Sequence, residues 1–181
     1  MPSVGDNAPD VGLLDAHGAP CPLSSAWQAG PAVLVFLRYF GCPFCQTQVA
    51  QLADHEERLA ERGASVVLIG QGTPNDASWF SVRRPNPFPL LLDPERDAYR
   101  AFGLERTHIL RVLDPRLAVP FVRANVRADT GQAGLHGGDF FQLPGTFIVG
   151  RDGRIRYAHR YRHIADHPSV HTILGVLDAQ D

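Results

Sequence analysis

The longest uninterrupted apolar run, AVLVFL at residues 32–37, gives way to RYFGC and then to Cys45, Val49, Leu52 and Leu59, spaced by four, three and seven. The run is rich in Val, Leu and Phe, which predicts a strand over residues 32–39 buried on both faces. The spaced positions lay one apolar stripe along a helix ending near Gly63. A second short apolar run at residues 66–69 predicts a strand parallel to the first, because a strand–helix–strand crossover winds right-handed and returns in the same direction. Residues 11–23 read as two short strands around the turn Ala16-His17-Gly18, an N-terminal β-hairpin. Further along, residues 75–82 and 95–102 read as helices and residues 89–93 as a short strand. Residues 147–149 and 155–157 flank the turn Gly150-Arg151-Asp152-Gly153 and form a final antiparallel hairpin. Ser169 opens a closing helix to Leu177, after Pro168. The sum is an α/β chain with a central mixed sheet flanked by helices.

One stretch departs from this rhythm. Residues 104–142 carry Pro115, Pro120 and a glycine-rich run at 131–138. A connection this long tends to be functional or mobile, and it reads as a partly helical insertion within a single domain spanning 1–181.

Composition removes several classes of function. Hydrophobic residues make up 44% and charged residues 20% of the chain, which is ordinary for a globular protein and argues against disorder. The net charge of −2 gives no global attraction to nucleic acid or anionic lipid. All 17 basic side chains are arginine, so no P-loop or Schiff-base lysine exists. No apolar run spans a bilayer and no basic leader precedes one, so the expected location is cytoplasmic, with no membrane partner.

In a reducing compartment a close cysteine pair is catalytic or metal-binding more often than structural. Cys42 and Cys45 stand where the first buried strand hands over to a helix. The positive end of that helix favours the Cys42 thiolate, with Pro43 suited to the first helical turn and Gly41 preceding the thiol. Cys45 shares the helical face of Cys42 and can resolve a mixed disulfide formed on it. This reading requires the two sulfurs to face one another with a route to water. A zinc site needs two further ligands. Only Cys21 remains among the thiols, and His55 does not follow finger-type spacing. A redox pair, a zinc half-site and a redox-inert interaction module all stay open on the residues alone.

The segments FLRYFGCPFCQ, LLDPERDAYRAFGL, GDFFQLPGTFIVGRDGRIRYAHR and ADHPSVHTIL resemble the peroxiredoxin-like AhpC/TSA proteins, a branch of the thioredoxin superfamily related to selenoprotein L. The resemblance runs from Val4 to Leu177 and is weakest across residues 104–134. It implies a thioredoxin-like fold, antioxidant thiol chemistry on a peroxide or disulfide substrate, and a thioredoxin or glutathione-type reductant as partner. No cofactor or metal is implied, and an oligomer is left open. It also implies a cis-proline against the cysteines, and the matching residue is Pro144; a cis bond there would turn the Leu143 backbone towards Cys42. A turn proline is the plainer alternative.

The departures from the family pattern concern the peroxide. Typical members carry proline seven positions and threonine three positions before the reactive cysteine, and an arginine just ahead of an x-Thr-Phe segment; here Val35, Tyr39 and Pro144 stand in those places. Those groups orient peroxide and stabilise charge developing on its oxygens, so rapid peroxidase activity is in doubt. Arg38 is the candidate substitute, close enough to favour a Cys42 thiolate, although strand alternation would equally well turn it to an acidic partner across the sheet.

The remaining features have plainer readings. Cys21 is expected to be a small buried hydrophobe. His163, His167 and His171 recur every four residues, but Pro168 interrupts the helix that would align them for a metal. The arginine and histidine cluster at residues 154–163 alternates along a strand and reads as a solvated edge, with no nucleic-acid partner. Gly70-Gln71-Gly72 lacks the third glycine of a dinucleotide fingerprint and reads as a loop beside the thiols. Phe140, Phe141 and Trp79 are candidate walls of the site, or simply core.

Overall fold

A computed structural model describes residues 1–83, 85–107 and 138–179. Seven strands form one mixed sheet in the order β2-β1-β5-β4-β3-β6-β7. They are β1 (Gly12–Asp15), β2 (Pro20–Pro22), β3 (Ala32–Phe36), β4 (Ser65–Gly70), β5 (Leu90–Leu92), β6 (Gly145–Val149) and β7 (Ile155–Arg160). The expected crossover is present, with β3 and β4 running parallel and Val35 level with Leu68. β6 pairs antiparallel with the other edge of β3 and with β7.

Every residue of β3 is fully buried because apolar layers cover both faces of the sheet. One face carries α1 (Pro43–Ala53), α2 (Glu56–Ala60), α3 (Pro74–Arg83) and α5 (Val170–Asp178). Val49, Leu52, Leu59, Phe80, Ile173 and Leu177 seal that face against Val33, Val35, Val66 and Leu68. The opposite face is covered by the 3-10 turn Leu23–Trp27 and by α4 (Asp97–Ala101), packed on Leu34, Phe36, Val67 and Ile69. Among the described residues no helix is long and apolar enough to cross a membrane.

Two expected helices are corrected. The stripe from Cys45 to Leu59 lies on two helices, α1 and α2, because His55 leaves helical geometry at φ −123° and its Nδ1 lies 3.0 Å from the Gln51 carbonyl oxygen. A seven-residue step is indifferent to such a break, and Leu52 and Leu59 are buried on both sides of it. α4 starts at Asp97 and not at residue 95, because Arg96 adopts the left-handed conformation at φ +60°. The Asp93 carboxylate then accepts the Asp97, Ala98 and Tyr99 N–H groups at 2.9, 2.9 and 3.3 Å.

Most of the expected insertion lies outside the described residues. Its two ends meet beside the thiols: Thr107 N–H donates to Phe141 at 2.7 Å and Leu143 N–H to Glu105 at 3.0 Å. Residues 138–142 thus form a strap that re-enters the fold just before β6.

Candidate functional site

β3 delivers the chain to the site through a short turn. The Leu37 N–H donates to Ile69 at 2.8 Å, prolonging the pairing with β4, and the Tyr99 hydroxyl lies 2.6 Å from the Leu37 carbonyl and 2.9 Å from that of Ile69. Cys42 N–H then donates to Tyr39 at 3.1 Å, closing a turn with Gly41 buried inside it. Cys42 is the residue capping the N-terminus of α1, in extended geometry with ψ 115°, and Pro43 occupies the first turn.

The sulfur makes no strict cap hydrogen bond to that turn, but its surroundings still favour ionisation. Burial pushes the Cys42 thiol up; against it act the Cys45 thiol, the Cys45 backbone amide, the Arg38 charge and the Phe44 amide, and the outcome is about 7. Cys45 moves the opposite way, well above an ordinary thiol, because it donates to Cys42 and is buried beside it. One thiol is thus poised as nucleophile and the other kept protonated. Cys45 Sγ also accepts the Arg38 N–H at 3.3 Å, which fixes it one turn into the helix.

The two sulfurs face each other, with Cys45 the donor to Cys42, but among the described residues no route to water reaches them. Cys42 has no exposed surface and Cys45 is 5% exposed. A groove of about 200 Å³ between α1 and α3 runs past Gln46 and Phe80, and neither cysteine lines it. Among the described residues, Arg38 and aromatic side chains pack together beside the thiols. Arg38 is 2% exposed, and its guanidinium carbon lies 4.0 Å from the centre of the Phe140 ring and 5.4 Å from that of Tyr39. Its Nε and Nη2 atoms are buried with no hydrogen-bond partner. Arg38 follows β3 instead of lying in it, so strand alternation does not govern its direction.

The bond preceding Pro144 is trans, since no cis peptide occurs among the described residues. The cis geometry expected from the family resemblance is therefore corrected. The flanking groups are engaged elsewhere: Leu143 N–H with Glu105 and the Pro144 carbonyl with Tyr161 N–H at 3.2 Å, which tie the segment into the sheet edge. Cys21 is half-buried on the edge strand β2, its sulfur 3.4 Å from Ser25 Oγ, and it packs with the cluster on the sheet face opposite the thiols. His163 and His167 precede the Ser169 cap while His171 lies within α5, so the three share no helix. Phe140 does wall the site, with Phe141 edge-on to it at 5.7 Å; Trp79 instead lies over the Arg83 guanidinium at 5.5 Å.

The sequence reading placed Gln71 in a loop beside the thiols but missed Asp139, Gln48, Thr146 and Tyr161. Gln71 is 5% exposed, and its amide donates to the Arg38 carbonyl and accepts the Asp139 N–H at 3.0 Å. Its neighbours Gly70 and Gly72 give room to the Phe40 ring, which a Cβ at either position would overlap. The Asp139 carboxylate binds Arg96 at 2.5 Å and Arg106 at 2.6 Å. Deeper along α1, Gln48, Thr146 and Tyr161 join in a closed hydrogen-bonded ring. The only signals in the sequence for these were polar residues at positions where apolar ones were due.

The AhpC/TSA family matches residues 4–158. Peroxiredoxin-like 2C of Homo sapiens is 28% identical over 181 aligned positions, spanning 94% of this chain and 79% of that protein. Prostamide/prostaglandin F synthase of Salmo salar is 29% identical over 144 positions, spanning 78% of this chain and 70% of that one. Among solved structures, the peroxidoxin BcpB of Mycobacterium tuberculosis is similar in fold, with a TM-score of 0.73 at 22% identity over 100% of this chain and 99% of that chain. A mixed thioredoxin-like sheet, with a cysteine capping the helix after its central strand, and a family match over most of the sequence lead to one conclusion: the chain belongs to the AhpC/TSA family of peroxiredoxin-like proteins in the thioredoxin superfamily.

Proposed function

We propose that the chain is a thiol-dependent oxidoreductase in which Cys42 is the nucleophile and Cys45 the resolving thiol. The observation that carries this reading is the split between the two sulfurs, one drawn down to about 7 and the other held protonated as its hydrogen-bond donor. With a disulfide substrate, the Cys42 thiolate forms a new S–S bond and expels one thiolate; Cys45 then loses its proton, attacks Cys42 and releases the second thiolate. With a hydroperoxide, the thiolate attacks the terminal oxygen, giving Cys42 sulfenic acid and an alkoxide that takes up a proton. Cys45 condenses with the sulfenic acid, releasing water. Either route leaves a Cys42–Cys45 disulfide, and one thioredoxin-type dithiol or two glutathione-type thiols supply the two electrons and two protons that restore it.

Arg38 supports the Cys42 thiolate electrostatically, while Gly41, Pro43 and Pro144 shape the turn and the wall around it. Val35, Tyr39 and Pro144 occupy the places of the family's peroxide-orienting groups, which favours disulfide exchange with modest peroxidase activity. The same reading treats residues 1–181 as one domain with 104–142 inserted, and places it in a reducing compartment such as the cytoplasm. The test is stopped-flow peroxide consumption beside insulin disulfide reduction, for wild type, Cys42→Ser and Cys45→Ser. Cys42→Ser is expected to abolish both activities; survival of both in that variant sinks the reading.

A further inference from the structure

A nucleophile with no exposed surface needs a part of the fold that moves. Among the described residues, the layer around the thiols is of two kinds. Beneath and around them lies the apolar core of β3, α1 and α5, whose close burial makes it the costlier part to open. Above Arg38 and Tyr39 lies the strap of residues 138–142, which is half-buried and held mainly by polar contacts.

Many of those contacts are at Asp139, and the Phe141 carbonyl also accepts the Thr107 N–H at 2.7 Å. The Asp139 carboxylate pairs with Arg96 and Arg106, whose side chains are 32% and 61% exposed. Its backbone amide and carbonyl are held by the Gln71 side chain at 3.0 and 3.4 Å. Half-exposed ion pairs of this kind contribute little each. The two ends of the strap differ in how they are held. At one, buried Gln142 donates through Nε2 to the Leu104, Glu105 and Leu143 carbonyls at 3.1, 3.1 and 3.2 Å. At the other, Gly138 is exposed at φ +130°, a backbone state that glycine adopts freely, and a Cβ there would meet Gln71. Between the ends, Phe140 presses its ring on the Arg38 guanidinium.

We propose that residues 138–142 are a hinged cover over the dithiol, that Phe140 is the screen, and that the Asp139 clamp sets how often and how widely Cys42 is admitted to substrate. This deepens the reading above and rests on Cys42 being the reactive group. Lifting Phe140 removes the ring from Arg38, whose unpartnered Nε and Nη2 then gain water or the anionic end of a substrate, so the open state has its own compensation. Size selection follows: small reagents need a slight displacement, bulky ones the whole strap.

The test uses the full chain with Cys21→Ser to silence the half-buried thiol. Cys42 alkylation is followed by mass spectrometry with iodoacetamide and with a bulky maleimide, each rate corrected to the same thiolate fraction. Wild type should discriminate strongly against the bulky reagent. Asp139→Asn should speed both reactions about tenfold through more frequent local opening, and Phe140→Ala should narrow the gap between the reagents. The cover is overturned if both variants alkylate at wild-type rates, or if wild type reacts as fast as a free thiol of equal pKa. Should either variant fail to fold, hydrogen exchange on wild type decides: the Asp139 and Phe141 amides should exchange well ahead of the β3 amides, and exchange at the global rate overturns the cover. The two proposals also fail separately. Faster alkylation in the strap variants with turnover surviving Cys42→Ser keeps the cover and removes the catalytic reading; the converse pattern removes only the cover.

Discussion

Two polar constellations lie under the first half of α1, and they differ in whether their hydrogen bonds close. In the deeper one, Gln48 Nε2 donates to Thr146 Oγ1 at 3.0 Å, Thr146 to the Tyr161 hydroxyl at 2.7 Å, and Tyr161 to Gln48 Oε1 at 2.8 Å. Each of the three groups gives one bond and takes one, so the ring leaves neither hydroxyl nor amide short. In the other, Arg38 has two buried nitrogens without a partner, and Cys42 supplies a nearby negative charge when it ionises. A closed ring of this kind ties α1 to β6 and to the residue that follows β7, and each of its side chains already has a partner for donor and acceptor. An open set, costly to bury, is where charge or substrate must arrive for the account to balance.

The most drastic way to break the comparison is to delete the open set's nucleophile. Cys42→Ser should lower turnover at least about a thousandfold while leaving the melting temperature near wild type. Cys45→Ala should also end turnover, but through accumulation of Cys42 sulfenic acid or mixed disulfide visible by mass spectrometry. Its Cys42 should ionise at higher pH, since the donor that favours the thiolate is gone.

Arg38→Met separates function from stability. The Cys42 thiolate loses its nearby positive charge, so the reaction at neutral pH should slow by about tenfold. Stability should hold or rise, because an uncompensated buried charge is replaced by an apolar chain of similar length. A loss of stability with unchanged Cys42 ionisation would make Arg38 a packing residue and erase the contrast with the ring.

The pH dependence sharpens the same point with no mutation. Alkylation and substrate attack should climb about tenfold per pH unit below 7 and level off above it. The Cys42 thiol is lowered in the fold from an ordinary value of 9.0, so its contribution to stability is full above pH 9 and lost as pH falls through 7. Cys45 is raised, so its contribution is full below pH 9 and lost as pH rises beyond it. Unfolding free energies from denaturant titrations should therefore rise from pH 7 to 9 and fall again above, by no more than about 3 kcal/mol. Arg38→Met should flatten the rising limb.

What the sequence revealed follows the same division. The run at residues 32–37 and the stripe from Cys45 to Leu59 specified β3, α1 and the parallel return to β4 because apolar spacing is a local signal. The break at His55 was hidden, since Leu52 and Leu59 are buried whether one helix or two connects them. The thiol pair was legible from its place after a buried strand. Phe140 and the Gly70-Gln71-Gly72 loop were legible beside it, but not the bonds that hold them: Gln71 reaches Arg38 across 33 positions and Asp139 across 68, and no local pattern encodes such pairings. The resemblance supplied the family but suggested a cis bond at Pro144, where the trans chain satisfies Leu143 and Pro144 through Glu105 and Tyr161.

The smallest effect on activity should come from Tyr161→Phe, and it is the cleanest measure of the ring. Removing one hydroxyl leaves Thr146 without its acceptor and Gln48 Oε1 without its donor, in a region where all three residues are buried. Unsatisfied groups of this kind cost about 1–3 kcal/mol, which for a domain of this length lowers the melting temperature by roughly 5 °C. Cys45 stands one turn before Gln48 but takes its own hydrogen bond from Arg38, so the thiol split should persist, with alkylation and turnover within about twofold of wild type. If Tyr161→Phe instead shifts Cys42 ionisation as much as Arg38→Met does, the two constellations are one network, and α1 transmits the state of the ring to the nucleophile at its end.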